Sequence, residues 1–176
     1  MGGRVIKKIV RLFGGSMLKP DYYFGSVHEI DYDALWGKNI RGLIFDIDNT
    51  LTAFDSRLPD SKTEKLLGEL AARGFMLALL TNNTNKRLNR FNETLRLPGF
   101  ANALKPFSFG VKKALDAMGM DASQAAIIGD QLLSDVWAGK NSGIATVLVK
   151  PITERDFWFV KIKRLIENQL LKRYYK

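Results

Sequence analysis

Between residues 42 and 149, short apolar runs alternate with longer polar stretches whose apolar residues recur at helical spacing. Residues 42–46, 75–80, 101–105, 125–128 and 145–149 read as strands. A continuous apolar run bounded by polar residues fits a strand buried on both faces. The stretches between them read as helices. One opens at Ser61, with Ser61 and Glu64 placed as a capping box, shows Leu66, Leu67 and Leu70 on one face and stops at Gly74. Others span 84–95, 110–118 (closed by Gly119) and 131–141 (closed by Gly143). This alternation predicts an α/β fold, a three-layer Rossmann-like parallel sheet with helices on both faces.

In such sheets ligands bind beyond the carboxyl ends of the strands. The polar residues of this chain collect there. The run 42–46 ends in Asp46, with Asp48, Asn49 and Thr50 just after it. Thr81 and Asn82 end the second run, Lys105 the third, and Asp130 and Asp135 follow the fourth. Carboxylates at the tip of a buried strand are costly unless positive charge neutralises them. Four separate segments therefore deliver chemistry to one edge.

Composition narrows the choices. The 176 residues are 46% hydrophobic, enough for one domain with a full core. There is no cysteine and a single histidine, His28, which excludes disulfides, Cys-based zinc sites and multi-His metal centres. No apolar run reaches the roughly 18–20 residues of a membrane span, and no signal-peptide core is evident, so a cytoplasmic location is expected. The net charge of +9 lies at the ends: residues 1–20 carry five basic residues and no acid, residues 151–176 carry seven basic and three acidic, and the middle is neutral. Val5, Ile6, Ile9, Val10 and Phe13, and Phe157, Trp158, Val160, Ile162, Leu165, Ile166 and Leu170, form apolar stripes among these cations. Basic amphipathic segments of this kind suit an anionic membrane, so peripheral contact with its inner face is an expectation. The domain reading is a single domain over 1–176, with its core at about 40–150 and basic extensions at 1–20 and 151–176.

The constellation suits hydrolysis of a phosphate ester, in which charge gathers on the phosphoryl and leaving oxygens. Asp46 can act as nucleophile, forming an aspartyl-phosphate, and Asp48 as general acid and then base. Thr81 can donate its hydroxyl to a phosphate oxygen, with Asn82 beside it as a further substrate-binding candidate. Lys105 can neutralise the phosphate and the nucleophile, and Asp130 and Asp135 offer the oxygen ligands that magnesium prefers.

These motifs resemble those of the haloacid dehalogenase-like (HAD) phosphatases: Asp-x-Asp-x-Thr after a strand, Thr after the next, an isolated Lys, then Gly-Asp-x-x-x-x-Asp. The resemblance implies Asp46 as nucleophile, Asp48 as acid/base, and Mg2+ held by Asp46, the Asp48 backbone carbonyl, Asp130 and Asp135. Pro20-Asp21-Tyr22-Tyr23, Phe-Asp-Ile-Asp-Asn-Thr-Leu-Thr and Gly129-Asp130-Gln131 through Asp135 are similar to the IIIA subclass called YqeG-type. Its eukaryotic relatives dephosphorylate phosphatidylglycerophosphate, which implies a phospholipid head group as the substrate. The gaps of 32 residues from Asp48 to Thr81 and 23 from Thr81 to Lys105 leave no room for a cap domain, and an open site admits bulky or surface-bound substrates. Two other readings compete. One is a nucleotide or nucleic-acid-end phosphatase using the basic ends; the other is a catalytically silent binding protein on the same fold.

Overall fold

The computed structural model describes residues 18–153, 170–172 and 174. Six strands form one parallel sheet: β1 (Tyr22–Phe24), β2 (Gly42–Phe45), β3 (Met76–Leu80), β4 (Gly99–Phe100), β5 (Ala125–Gly129) and β6 (Ala145–Val149). Their order across the sheet is β1-β6-β5-β2-β3-β4. From β2 the chain moves outward to β3 and β4, then returns to lay β5 on the other side of β2. The order therefore reverses between β2 and β5, and a crevice opens beyond their carboxyl ends.

Alternate residues of each central strand enter two separate cores. Leu43, Phe45, Leu77, Leu79, Ala126 and Ile128 pack with residues of α1 (Tyr32–Gly37), α2 (Ser61–Ala72) and α3 (Asn85–Phe91). Ile44, Ala78, Leu80, Ala125 and Ile127 pack with α4 (Phe109–Met118) and α5 (Trp137–Ser142). Both faces are covered, which is why these strands are apolar at every position. The three-layer Rossmann-like expectation holds.

Several local readings are corrected. Residues 101–105 are not a strand. The strand beside β3 is the preceding pair, Gly99 and Phe100; the chain then turns back, with Ala103 N–H donating to the Thr81 carbonyl and Asn102 and Leu104 at positive φ. Asp60, not Ser61, caps α2: its Oδ1 accepts from the Thr63 N–H at 2.7 Å. Glu64 instead accepts a hydrogen bond from the Thr94 hydroxyl. The helix expected at 131–141 begins as a wider π-turn, Leu132–Val136, because the Gln131 carbonyl accepts from both Asp135 N–H and Val136 N–H.

β1 is a strand that the apolar pattern does not predict. It is short and on the sheet edge, and Asp21 fastens it. Asp21 Oδ2 accepts from Thr146 N–H at 2.8 Å and from the Thr146 hydroxyl at 2.7 Å, and Asp21 Oδ1 lies 2.5 Å from Lys140 Nζ. Leu18 and Leu170 are buried together with Leu132, Val136 and Leu148. Leu170, read as part of a membrane-facing stripe, thus packs on its own fold. The rest of the two terminal stripes, 5–13 and 157–166, lies outside the described residues.

Burial opposes ionisation of Asp21, but Lys140 and the Thr146 donors hold its carboxyl below the ordinary 3.8. Its stabilising effect is therefore in place above that value and lost as pH falls through the lowered one. Asp21→Ala is expected to cost about 1–3 kcal/mol at pH 7, read as a lower urea midpoint, with the deficit shrinking below pH 4.

Candidate active site

The site is built on the crevice between β2 and β5. Beyond β2, Ile47 remains in the core, fully buried. Asp46 and Asp48 flank it and, by the strand's two-residue period, project to the opposite side. Asn49 then takes φ 66, a left-handed conformation that asparagine tolerates better than most residues. Thr50, Leu51 and Thr52 all donate their N–H groups to the Ile47 carbonyl, which curls the loop tightly over the strand.

Lys105 is the centre of the arrangement. Its Nζ donates to Asp46 Oδ1 at 2.6 Å, to Asp135 Oδ1 at 2.6 Å and to the Leu80 carbonyl at 3.0 Å. Asp130 joins them: one carboxylate oxygen from each of Asp46, Asp130 and Asp135 falls within a 4.8 Å group. All four residues are buried. Burial pushes the Asp46 carboxyl up, to about 7, with Asp135 and Asp48 adding to the rise and Lys105 opposing it. Burial works against the Lys105 charge, but Asp135 and Asp46 outweigh it and hold that ammonium above the ordinary lysine range.

The neighbouring segments supply the supports. The Asn82 side chain pairs with the Lys105 backbone in both directions: Lys105 N–H donates to Oδ1 at 2.8 Å, and Nδ2 donates to the carbonyl at 3.1 Å. Asn82 therefore positions the lysine loop. Thr81 is buried, and its Oγ1 accepts from Asn83 N–H at 3.0 Å, leaving its hydroxyl proton to donate elsewhere. Asp135 Oδ2 accepts from Gln131 N–H at 3.1 Å, a contact that the π-turn creates. A Cβ on Gly129 would collide with the Asp135 carboxylate, so the glycine before Asp130 is there for close approach. The Thr50 hydroxyl lies 3.4 Å from Asp130 Oδ1.

Asp48 stands apart from this cluster. Its Oδ1 accepts from Arg87 Nε at 3.0 Å, and its Oδ2 accepts from Asn83 Nδ2 at 3.2 Å. Sequence reasoning missed both partners. Their only signal is that they sit two and six residues after Thr81, on the loop and helix leaving the same strand end. His28 lies near Lys62 and Asp60, on a short turn outside the cluster. Among the residues expected at the site, Asp46, Lys105, Asp130 and Asp135 meet directly, Thr81 and Asn82 adjoin the lysine loop, and Asp48 is engaged by Arg87.

The donor set suits a hard divalent cation. It offers three carboxylates from two chain segments and no nitrogen or sulfur ligand, which matches magnesium's preference.

The HAD-hydrolase-like family profile matches residues 103–153, which hold Lys105, Asp130 and Asp135. The chain is 30% identical over 152 residues to the probable phosphatase YqeG of Bacillus subtilis, covering 86% of this chain and 88% of that protein. The chain belongs to the YqeG family of HAD-like phosphatases. It is also 29% identical over 169 residues to the chloroplastic phosphatidylglycerophosphate phosphatase 1 of Chlamydomonas reinhardtii, covering 89% of this chain and 63% of that enzyme. Identity to the glyceraldehyde 3-phosphate phosphatase of Pyrococcus abyssi is 28% over 154 residues, 82% of this chain and 63% of that one. The chain thus spans just under two thirds of each of these last two enzymes. A HAD-family hydrolase from Deinococcus radiodurans, solved with bound phosphate and sodium, has the same fold, with a TM-score of 0.55 at 13% identity over 73% of this chain and 89% of that one. This YqeG-family chain is a phosphatase on a HAD-like sheet, and the silent-scaffold reading falls.

Lys105→Met would leave the buried carboxylates without their ammonium. Breaking a buried pair in this way costs about 3–5 kcal/mol. Without the ammonium that opposes its rise, Asp46 holds a proton more tightly in the folded chain than in the unfolded one, where an aspartate titrates near 4. Unfolding is then favoured further as pH rises above that value. Urea titrations in metal-free buffer are expected to show a larger deficit at pH 8 than at pH 5.

Proposed function

We propose that this YqeG-family phosphatase is a magnesium-dependent phosphomonoesterase that works through an aspartyl-phosphate on Asp46, with phosphatidylglycerophosphate as its substrate. The observation that carries the mechanism is the ammonium of Lys105 held between Asp46 and Asp135 at the strand-order reversal. One oxygen of Asp46 attacks phosphorus, and the bond to the leaving oxygen breaks. Asp48 gives that oxygen its proton, for which it exchanges a contact with Arg87 or Asn83. Water then attacks the phosphoryl group, Asp48 accepts the proton, and the bond from Asp46 to phosphorus breaks, releasing phosphate and restoring the carboxylate. Thr81 donates its hydroxyl to a phosphoryl oxygen, and Lys105 offsets the negative charge that gathers there. Asn82 keeps Lys105 in place. Asp46, the Asp48 backbone carbonyl, Asp130 and Asp135 would hold Mg2+, which when bound neutralises phosphoryl charge.

Support for a lipid substrate comes from the rim. Eight large hydrophobic residues are exposed among the described residues. Six of them (Phe54, Leu58, Leu104, Phe107, Phe109 and Ile152) lie in segments that follow the carboxyl ends of strands. Ile152 N–H donates to the Asn49 carbonyl, which ties that rim to the Asp46 loop. Lys112, Lys113 and Lys150 are exposed beside these residues. An apolar rim with interspersed cations around an open site suits an anionic bilayer. Lifting a diacyl lipid into water costs about 0.8 kcal/mol per methylene, so the enzyme is better served by docking on the membrane than by extracting its substrate. No helix among the described residues is long and apolar enough to cross a membrane. The reading is one phosphatase domain in the cytoplasm, in peripheral contact with the membrane through this rim and the basic ends.

Phosphate release from phosphatidylglycerophosphate in mixed micelles with magnesium tests the substrate. The wild type should turn over and Asp46→Asn should not, while the variant remains folded. Release from soluble esters alone would discard the lipid. Separately, Phe107→Gln with Phe109→Gln should weaken flotation with phosphatidylglycerol-containing vesicles about tenfold and leave hydrolysis of an aryl phosphate unchanged. Vesicle binding equal to wild type would remove the rim from the account.

A further inference from the structure

Beside Asp48 lies a cavity of about 230 Å³, walled by the loop after β2 and by α3. Arg57, Lys86, Arg87 and Arg90 line it, and the one acid among its lining residues is Asp55. Three of these cations, Lys86, Arg87 and Arg90, belong to one helix, Asn-Lys-Arg-Leu-Asn-Arg-Phe, that carries no acid of its own. Lys86 and Arg90 stand four residues apart on it, a like-charge spacing that weakens a helix by a few tenths of a kcal/mol. The chain thus tolerates a local repulsion to gather positive charge at this spot.

Arg87 joins the cavity to the catalytic carboxylates. Its Nε donates to Asp48 Oδ1, and its Nη1 donates to the Arg57 carbonyl at 3.1 Å. Its Nη2 lies 2.9 Å from Asp48 Oδ1 yet is buried without a hydrogen bond. One guanidinium is therefore the shared wall between the acid/base candidate and the cavity. The volume is below the roughly 300–1,000 Å³ that encloses a whole small ligand, so it suits one group of a larger substrate. Arginine-rich walls favour phosphate, whose oxygens match the guanidinium fork.

We propose that this cavity is an anion subsite for a second phosphate of the substrate, a phosphodiester or phosphoryl group a few bonds from the ester that is cut. It rests on the reading of the Asp46 cluster as the phosphatase centre. A phospholipid head group and a nucleotide bisphosphate both offer this chemistry. The subsite makes the chain selective for substrates with two phosphates over simple monoesters.

The test uses the full chain and three soluble substrates: glycerophosphoglycerol phosphate (the deacylated head group), a nucleoside 3′,5′-bisphosphate and an aryl monophosphate. Lys86→Gln with Arg90→Gln removes two cations that make no contact with Asp48. The double variant should raise KM for the preferred two-phosphate substrate about ten- to a hundredfold, the scale of losing charge-assisted contacts. Its kcat, and its turnover of the aryl ester, should be unchanged. Preference for the head group assigns the second phosphate to a lipid; preference for the bisphosphate assigns it to a nucleotide. Equal loss on all three substrates, or no loss on any, overturns the subsite. If the wild type hydrolyses none of them, the catalytic reading fails instead. Calorimetric binding of glycerophosphoglycerol phosphate then decides the subsite: weaker binding by the double variant supports it, and equal binding rejects it.

Discussion

Everything at the carboxyl edge depends on one buried ammonium. Asp46, Asp130 and Asp135 converge in a space nearly closed to water, where their mutual repulsion is poorly screened. The three hydrogen bonds of Lys105 Nζ make this tolerable, and they draw together strand ends that are distant in sequence. Much of the surrounding architecture serves that lysine. Asn82 grips its backbone from the end of β3, Asn141 Nδ2 donates to the Pro106 carbonyl to hold the same loop from α5, and the π-turn aims Asp135 at it. A cation bound by the three carboxylates would share the neutralisation and lower the proton affinity of Asp46, as the proposed nucleophilic role requires.

The sheet makes this convergence possible. Because β5 pairs with β2, the loops bearing Asp46 and Asp130 are neighbours although 83 residues separate them. The third and fourth strands bring Thr81 and Lys105 alongside. A phosphatase of the YqeG family assembled in this way leaves its edge loops to carry other properties: an apolar rim and a cationic cavity, with the loop after β2 contributing to both.

The order of strands and helices was legible in the sequence because both faces of the sheet are covered, which leaves unbroken apolar runs. The acids and the lysine were legible because polar groups at strand tips have few structural uses. What stayed hidden has physical causes as well. β1 is three residues long and held by Asp21, so its signal lies in a side chain rather than in periodicity. The run at 101–105 kept apolar residues because Ala103 is buried as part of a turn. Arg87 and Asn83 sit on a polar helix and loop, where a charged residue ordinarily faces solvent; only the fold shows that they meet Asp48.

The central claim is that Asp46 is the group that carries the phosphoryl. Turnover of a phosphomonoester quenched rapidly with acid, followed by borohydride reduction and peptide mass spectrometry, tests it directly, because reduction converts an acyl phosphate on aspartate into homoserine. The account predicts homoserine at position 46 and nowhere else. Active enzyme with unmodified Asp46, or with the label on Asp48, Asp130 or Asp135, would contradict it.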